Sequence, residues 1–273
     1  MRVAAVQLTS TPDKDRNVAV AGTLVAAAAD AGAELVVLPE LFNCWGSARE
    51  LRAAAEPLDG PTLTAARAWA RDRAIWLLAG SITERIEGSE LHANTSCLIG
   101  PDGDIVATYR KIHLFDVDVE GFAYRESATV VPGDEIVVAD AGPLRIGMSI
   151  CYDLRFPEEF RIQALRGANI VTLPSAFTAP TGKDHWEPLL RARAIENQVF
   201  VIAPDQRGAS TPKLQWHGRS MIVDPWGVVL AQAPDTECFI AADLDLAAQE
   251  DVRTRIPSLA NRRPGTYDWP EER

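Results

Sequence analysis

Histidine and cysteine are scarce in this chain, and basic residues are outnumbered by acidic ones. The four histidines, His92, His113, His185 and His217, never take the i, i+4 spacing of a helical zinc motif, and no acidic run resembles a calcium loop. A metal site is therefore not expected. The four cysteines, Cys44, Cys97, Cys151 and Cys238, contain no C-x-x-C pair, which argues against a zinc knuckle or a disulfide framework and fits a reducing compartment. With 27 Lys and Arg against 38 Asp and Glu, the formal charge is −11. Nucleic acid is an unsuitable partner for such a surface, because binding a polyanion needs clustered cations that release counterions. No run of about 18 residues is free of charge or breaker. Met1 to Leu8 also lacks the basic flank and long apolar stretch of a leader, so a soluble cytoplasmic protein with no membrane partner is expected. Gly182-Lys183 fails as a phosphate loop, since Phe177 stands where the first Gly belongs and Asp184 replaces Ser or Thr.

What the chain does have is apolar residues, 47% of 273, enough to bury a sizeable core in one large domain. Short β-rich runs alternate with longer segments of helical spacing, the pattern of an α/β fold. Val3 to Leu8 reads as a buried strand, Asp13 to Asp30 as a helix with acidic residues at its positive end, and Glu34 to Leu38 as a parallel partner strand. Thr62 to Arg73 reads as a helix and Ile75 to Ile82 as a strand, and a hairpin follows around Pro101-Asp102-Gly103. The second half repeats the style. Strands are expected over Leu144 to Cys151, Asn169 to Leu173 and Val199 to Ala203, helices over Pro157 to Arg166 and His185 to Asn197, and another hairpin around Pro225-Trp226-Gly227. No linker separates the halves, so two mixed sheets sharing one core are expected over residues 1–261, with 262–273 as an extended C-terminal tail suited to packing on a partner subunit.

Three positions could carry chemistry. Glu40, in Leu38-Pro39-Glu40-Leu41-Phe42, follows a strand that is apolar on both faces, where open α/β sheets place ligands and desolvation makes a carboxylate a competent base. A solvated loop glutamate is the competing reading. Lys111 lies in Tyr109-Arg110-Lys111-Ile112-His113, at the end of a hairpin strand, and its compact charge could clamp an oxyanion; a basic strand end on the surface is the alternative. Cys151 stands between strand and helix, the position of a nucleophile elbow, with the Tyr152 N–H next in line for an oxyanion. A free cysteine is otherwise a small buried hydrophobe, the reading given to Cys44, Cys97 and Cys238. Ser149 is a poor nucleophile candidate, because the second Gly of a serine elbow is missing.

Taken in order, L-P-E-L-F, Y-R-K-x-H-L-F-D and G-x-x-I-C-Y-D-x-R-F-P-E resemble the glutamate, lysine and cysteine regions of the nitrilase superfamily. Pro174 to Phe177, His185 to Glu187, Arg191 to Gln198 and Val223 to Gly227 extend the likeness from Val3 to about Arg263, nearest its Nit branch of deaminated glutathione amidases and omega-amidases. The resemblance implies a four-layer α-β-β-α sandwich and a Glu40-Lys111-Cys151 triad that hydrolyses amides through a thioester, without metal or organic cofactor. Glu40 would take the thiol proton, Lys111 and the Tyr152 N–H would hold the oxyanion, and Glu40 would then protonate the departing nitrogen and activate water. A second glutamate that orients the lysine is matched by Glu126, with Glu120 as the competing assignment. Arg155 would pair with a substrate carboxylate, while Tyr152, Phe177 and Thr181 line the same pocket. The implied substrates are small α-keto acid amides such as deaminated glutathione or α-ketoglutaramate, with water as co-substrate. The implied assembly is a homodimer or larger, through the Pro157 to Arg166 helix. A carbamoyl-amino-acid or aliphatic amidase is the runner-up, and an inert binding module on the same fold is the reading from outside enzymes.

Overall fold

Side-chain alternation along the strands decides the layering. In Arg2–Gln7, Ala4 and Val6 pack with Ala21, Val25 and Ala28 of helix Lys14–Asp30 and with Leu63, Ala66 and Ala70 of helix Pro61–Arg73. Val3 and Ala5 belong to a second core instead. There they join Ile146, Met148, Val171 and Val201 of the other sheet, with Phe160 and Leu190 of helices Pro157–Leu165 and Ala179–Asn197. The computed structural model describes residues 1–119, 122–211 and 214–267, and over these the layers run helix, sheet, sheet, helix, as expected.

Each sheet has a parallel centre. Arg2–Gln7, Leu35–Val37 and Trp76–Leu78 run parallel in the first, flanked by antiparallel Cys238–Asp243 and His92–Ile99. Leu144–Met148, Ile170–Thr172 and Phe200–Ala203 do so in the second, flanked by antiparallel Val138–Ala141 and Met221–Val223. The carboxyl ends of the central strands carry the Pro39-Glu40 turn, the Cys151 turn and the loop after Thr172. These turns are thereby gathered at the end of the sheets where α/β folds place ligands.

Several expected elements need correction. The strand expected over Ile75 to Ile82 is broken into Trp76–Leu78 and Ile82–Arg85. Gly80, at φ +43°, causes the break: a Cβ there would lie 2.0 Å from the Pro39 carbonyl oxygen, so only glycine lets the Glu40 turn approach. The strand expected to reach Cys151 ends at Met148, and Cys151–Arg155 is a 3-10 turn before the helix. The helix expected from His185 starts at Ala179, because Pro180 near its start needs no N–H partner and Pro188 is accommodated inside it. Of the tail expected over 262–273, residues 268–273 lie outside the described residues, and the described part contains a 3-10 turn at Pro264–Thr266. Helices Ala48–Ala54 and Leu246–Arg255 and the hairpin Asp116–Val119 with Phe122–Arg125 have no counterpart in the sequence reading.

Candidate functional site

Glu40 lies in a turn whose next residue, Leu41, is forced into the left-handed region at φ +49°. Side chains secure that strained turn: Ser81 Oγ accepts the Leu41 N–H at 3.0 Å and Gln206 Nε2 donates to the Glu40 carbonyl at 2.9 Å. The Glu40 carboxylate is 2% exposed yet fully engaged. Its Oε1 accepts Lys111 Nζ at 3.0 Å and Asn94 Nδ2 at 2.8 Å, and Oε2 accepts the Ala176 N–H at 2.9 Å.

Lys111 follows strand Ile105–Arg110 and is fixed by its own N–H donating to Asn94 O at 2.9 Å. Its Nζ also donates to Glu126 Oε2 at 2.9 Å. Glu126 opens the turn Glu126–Ala128, accepts the Phe115 N–H at 2.7 Å, and shares Asn94 Nδ2 at 3.2 Å. Burial alone would drive the Lys111 ammonium toward neutrality, but Glu126 and Glu40 outweigh it and hold its pKa well above the ordinary value. Lys111 is thus a permanent cation between two carboxylates.

Cys151, at φ +47°, is the other strained residue of the site, with its N–H donating to Pro174 O at 2.9 Å. Burial pushes its thiol pKa well up, Glu40 adds to this, and Lys111 pulls the other way. Both burial and the neighbouring carboxylate thus favour the thiol over the thiolate. Cys151 lies where two cavities meet, of about 350 and 220 Å³. Glu40, Lys111, Glu126, Tyr124, Trp45 and Trp216 line the first; Tyr152, Arg155, Phe177 and Thr181 line the second; Phe115, Ala176 and Thr178 border both.

The sequence-expected residues thus converge on one place, apart from Glu120, which lies outside the described residues. Arg155 is held over the Phe177 ring at 5.3 Å, and its Nη1 donates to His185 Nδ1 at 3.2 Å. Asn94 and the edge-to-face pair Trp45 and Trp216, at 4.4 Å, escaped sequence reasoning. Asn94 sits mid-strand and Trp45 in an irregular loop, and neither carries a motif. The elbow's last partner, His113, stacks on Phe156 and faces Asp153 and Glu159.

Residues 2–254 match the family model described as carbon-nitrogen hydrolase. A deaminated glutathione amidase of Synechocystis sp. (strain PCC 6803 / GT-S) is 42% identical over 95% of this chain and 97% of its own length. The Homo sapiens omega-amidase NIT2 is 40% identical over 97% of this chain and 96% of its own. Among solved structures, Saccharomyces cerevisiae Nit3, described as a member of branch 10 of the nitrilase superfamily, superposes with a TM-score of 0.86 at 34% identity, covering 94% of each chain. The C. elegans NitFhit protein superposes at 0.92 with 38% identity, over 98% of this chain and 66% of that longer one.

Proposed function

The chain belongs to the carbon-nitrogen hydrolase family, and on that premise we propose that it hydrolyses the C–N bond of small α-keto acid amides through a Cys151 thioester. The observation that carries the reading is the buried Glu40–Lys111–Glu126 array opening onto the cavity that Cys151 lines. Glu40 accepts the thiol proton as sulfur attacks the carbonyl carbon, so the nucleophile is generated only when substrate is in place. Lys111 donates to the tetrahedral oxyanion together with the Tyr152 N–H, since a cation already fixed by two carboxylates needs little reorganisation. The proton on Glu40 passes to the leaving nitrogen, and the amine departs. Water then enters and loses a proton to Glu40 as it attacks the thioester carbon, and that proton returns to the Cys151 sulfur as the C–S bond breaks and the acid leaves. Glu126 orients Lys111 throughout, with Asn94 spanning the two glutamates.

Substrate choice is assigned to the second cavity. Arg155 offers a planar fork to a carboxylate, with His185 bracing it and Phe177 beneath it, while Tyr152 and Thr181 complete the wall. Both deaminated glutathione and α-ketoglutaramate fit this scheme, since each has an α-keto acid end, and they differ only in the leaving amine. A carbamoyl amino acid also bears a carboxylate and is the second reading. The direct test measures α-ketoglutarate release from both amides beside a neutral aliphatic amide. Arg155→Ala should raise KM for the keto acid amides about 10- to 100-fold and leave the neutral amide nearly unchanged. Equal effects on all three would remove Arg155 from carboxylate recognition.

A homodimer through helix Pro157–Leu165 is supported by its exposed Ile162 and Leu165, which border a groove reaching Tyr267. A cytoplasmic setting is supported by the free thiols of all four cysteines. Among the described residues no helix is long and apolar enough to cross a membrane.

A further inference from the structure

Lys111 and Cys151 come from different sheets, so the spacing between them has to be fixed by something that touches both segments. Asp153 does so with one carboxylate. Its Oδ2 accepts the Ile150 N–H at 2.7 Å, one residue before Cys151, and the Tyr109 hydroxyl at 2.7 Å, two residues before Lys111. Its Oδ1 accepts the His113 N–H at 3.0 Å and faces His113 Nδ1 at 2.8 Å, two residues after Lys111.

A second carboxylate stands beside this tether. Glu159, in the first turn of helix Pro157–Leu165, is 2% exposed. Its Oε1 accepts from Ser149 Oγ at 3.0 Å, Tyr109 OH at 3.2 Å and Gln163 Nε2 at 3.2 Å. Its Oε2 faces His113 Nδ1 at 3.4 Å, a longer approach than Asp153 makes. Phe156 stacks on the half-buried His113 ring at 3.6 Å. Both Asp153 oxygens are already taken by N–H and O–H donors, so the three groups form a proton-sharing cluster and not a ready cage for a cation.

We propose that Glu159 is a positioning residue for the amide hydrolysis proposed above: its protonation decides whether Asp153 keeps the His113 proton to itself, and through Asp153 how firmly Lys111 is held beside Cys151. With Glu159 neutral, one imidazolium matches one carboxylate. With Glu159 ionised, two buried carboxylates compete for one Nδ1 proton of the half-buried His113, and their repulsion strains the contacts of Asp153. The titratable groups facing Glu159 are Tyr109 from its strand, His113 from the segment after it and Asp153 from the elbow; Ser149 and Gln163 are neutral. Burial and Asp153 push the Glu159 pKa up to about 7, against the pull of His113. Burial lowers the His113 pKa, but Asp153 and Glu159 more than reverse this and hold it at about 9. Glu159 therefore gains its charge while His113 still carries its own.

The test rests on the amidase reading and is paired with a readout that needs no amide. kcat and KM for α-ketoglutaramate, and the rate of Cys151 alkylation by iodoacetamide, are measured from about pH 5.5 to 9 in the wild type, E159Q and S149A. The wild-type kcat should fall about 3- to 10-fold through the Glu159 transition with KM constant, a modest loss of alignment. E159Q, which mimics the protonated acid, should lack this limb in both readouts. S149A, which removes a donor to the ionised carboxylate, should move the limb to higher pH, whether or not E159Q folds well. A limb shared unchanged by all three proteins, or no limb in the wild type, overturns the proposal. Alkylation that follows the expected pattern in a protein that turns over no amide would instead fail the amidase reading and leave the tether standing.

Discussion

Two buried clusters in this molecule hold two carboxylates and one cation each, and they lie on either side of one short segment. Glu40, Glu126 and Lys111 form the first; Asp153, Glu159 and His113 form the second, only two residues further along. The first opens onto a cavity and has Cys151 as its neighbour. The second lines none of the cavities around Cys151, and its His113, stacked on the Phe156 ring, is half-buried. Lysine keeps its charge at every working pH, which suits a group proposed to meet an oxyanion, whereas histidine titrates and can only hold a structure together conditionally. The same charge inventory thus suits the proposed chemistry where it meets a cavity and the proposed alignment where it does not.

Removing the cation from the open cluster should have the larger effect. Lys111→Met leaves Glu40 and Glu126 buried side by side with only Asn94 between them. Activity should fall by about 1000-fold or more, and unfolding stability by about 3 kcal/mol, as expected for an unpaired buried charge. Turnover assays and urea titration read the two effects separately. A variant with near-normal kcat would place the oxyanion elsewhere.

The second cluster should yield less, and only over part of the pH range. The folded-state pKa of His113, about 9, lies above its ordinary 6.5, so its stabilisation is fully present below about pH 6.5 and is lost as pH rises through 9. Glu159 has the same sign, because its folded pKa of about 7 exceeds the ordinary 4.5 and folding is favoured by its proton. The Tm difference between wild type and His113→Gln should therefore be largest near pH 6 and shrink toward about pH 9.5. A difference that grows with pH would reverse the assignment of the charged ring.

The contrast between the clusters also explains what could be read from the sequence. Glu40, Lys111 and Cys151 were legible because each sits at a strand end inside a distinctive motif, and the layer order was legible through the family resemblance those motifs carry. The second cluster was not legible. Tyr109, His113 and Asp153 lie within the same motifs, but their meeting with Glu159 and Gln163 depends on how two sheets and a helix are docked. Asn94 escaped for a similar reason, since a polar residue in a buried strand has no local signature until its partners arrive from two other segments. The break at Gly80 was missed because the Pro39 carbonyl that demands it is some forty residues away in sequence.

Bond formation between Cys151 and substrate is read from the rate of α-ketoglutarate release from α-ketoglutaramate by the wild type and by Cys151→Ala, assayed side by side. The expected result is measurable turnover in the wild type and a loss of at least about 1000-fold in the variant, since a missing nucleophile leaves only binding and oxyanion contacts. A variant that retains a substantial fraction of wild-type turnover would contradict the thioester route.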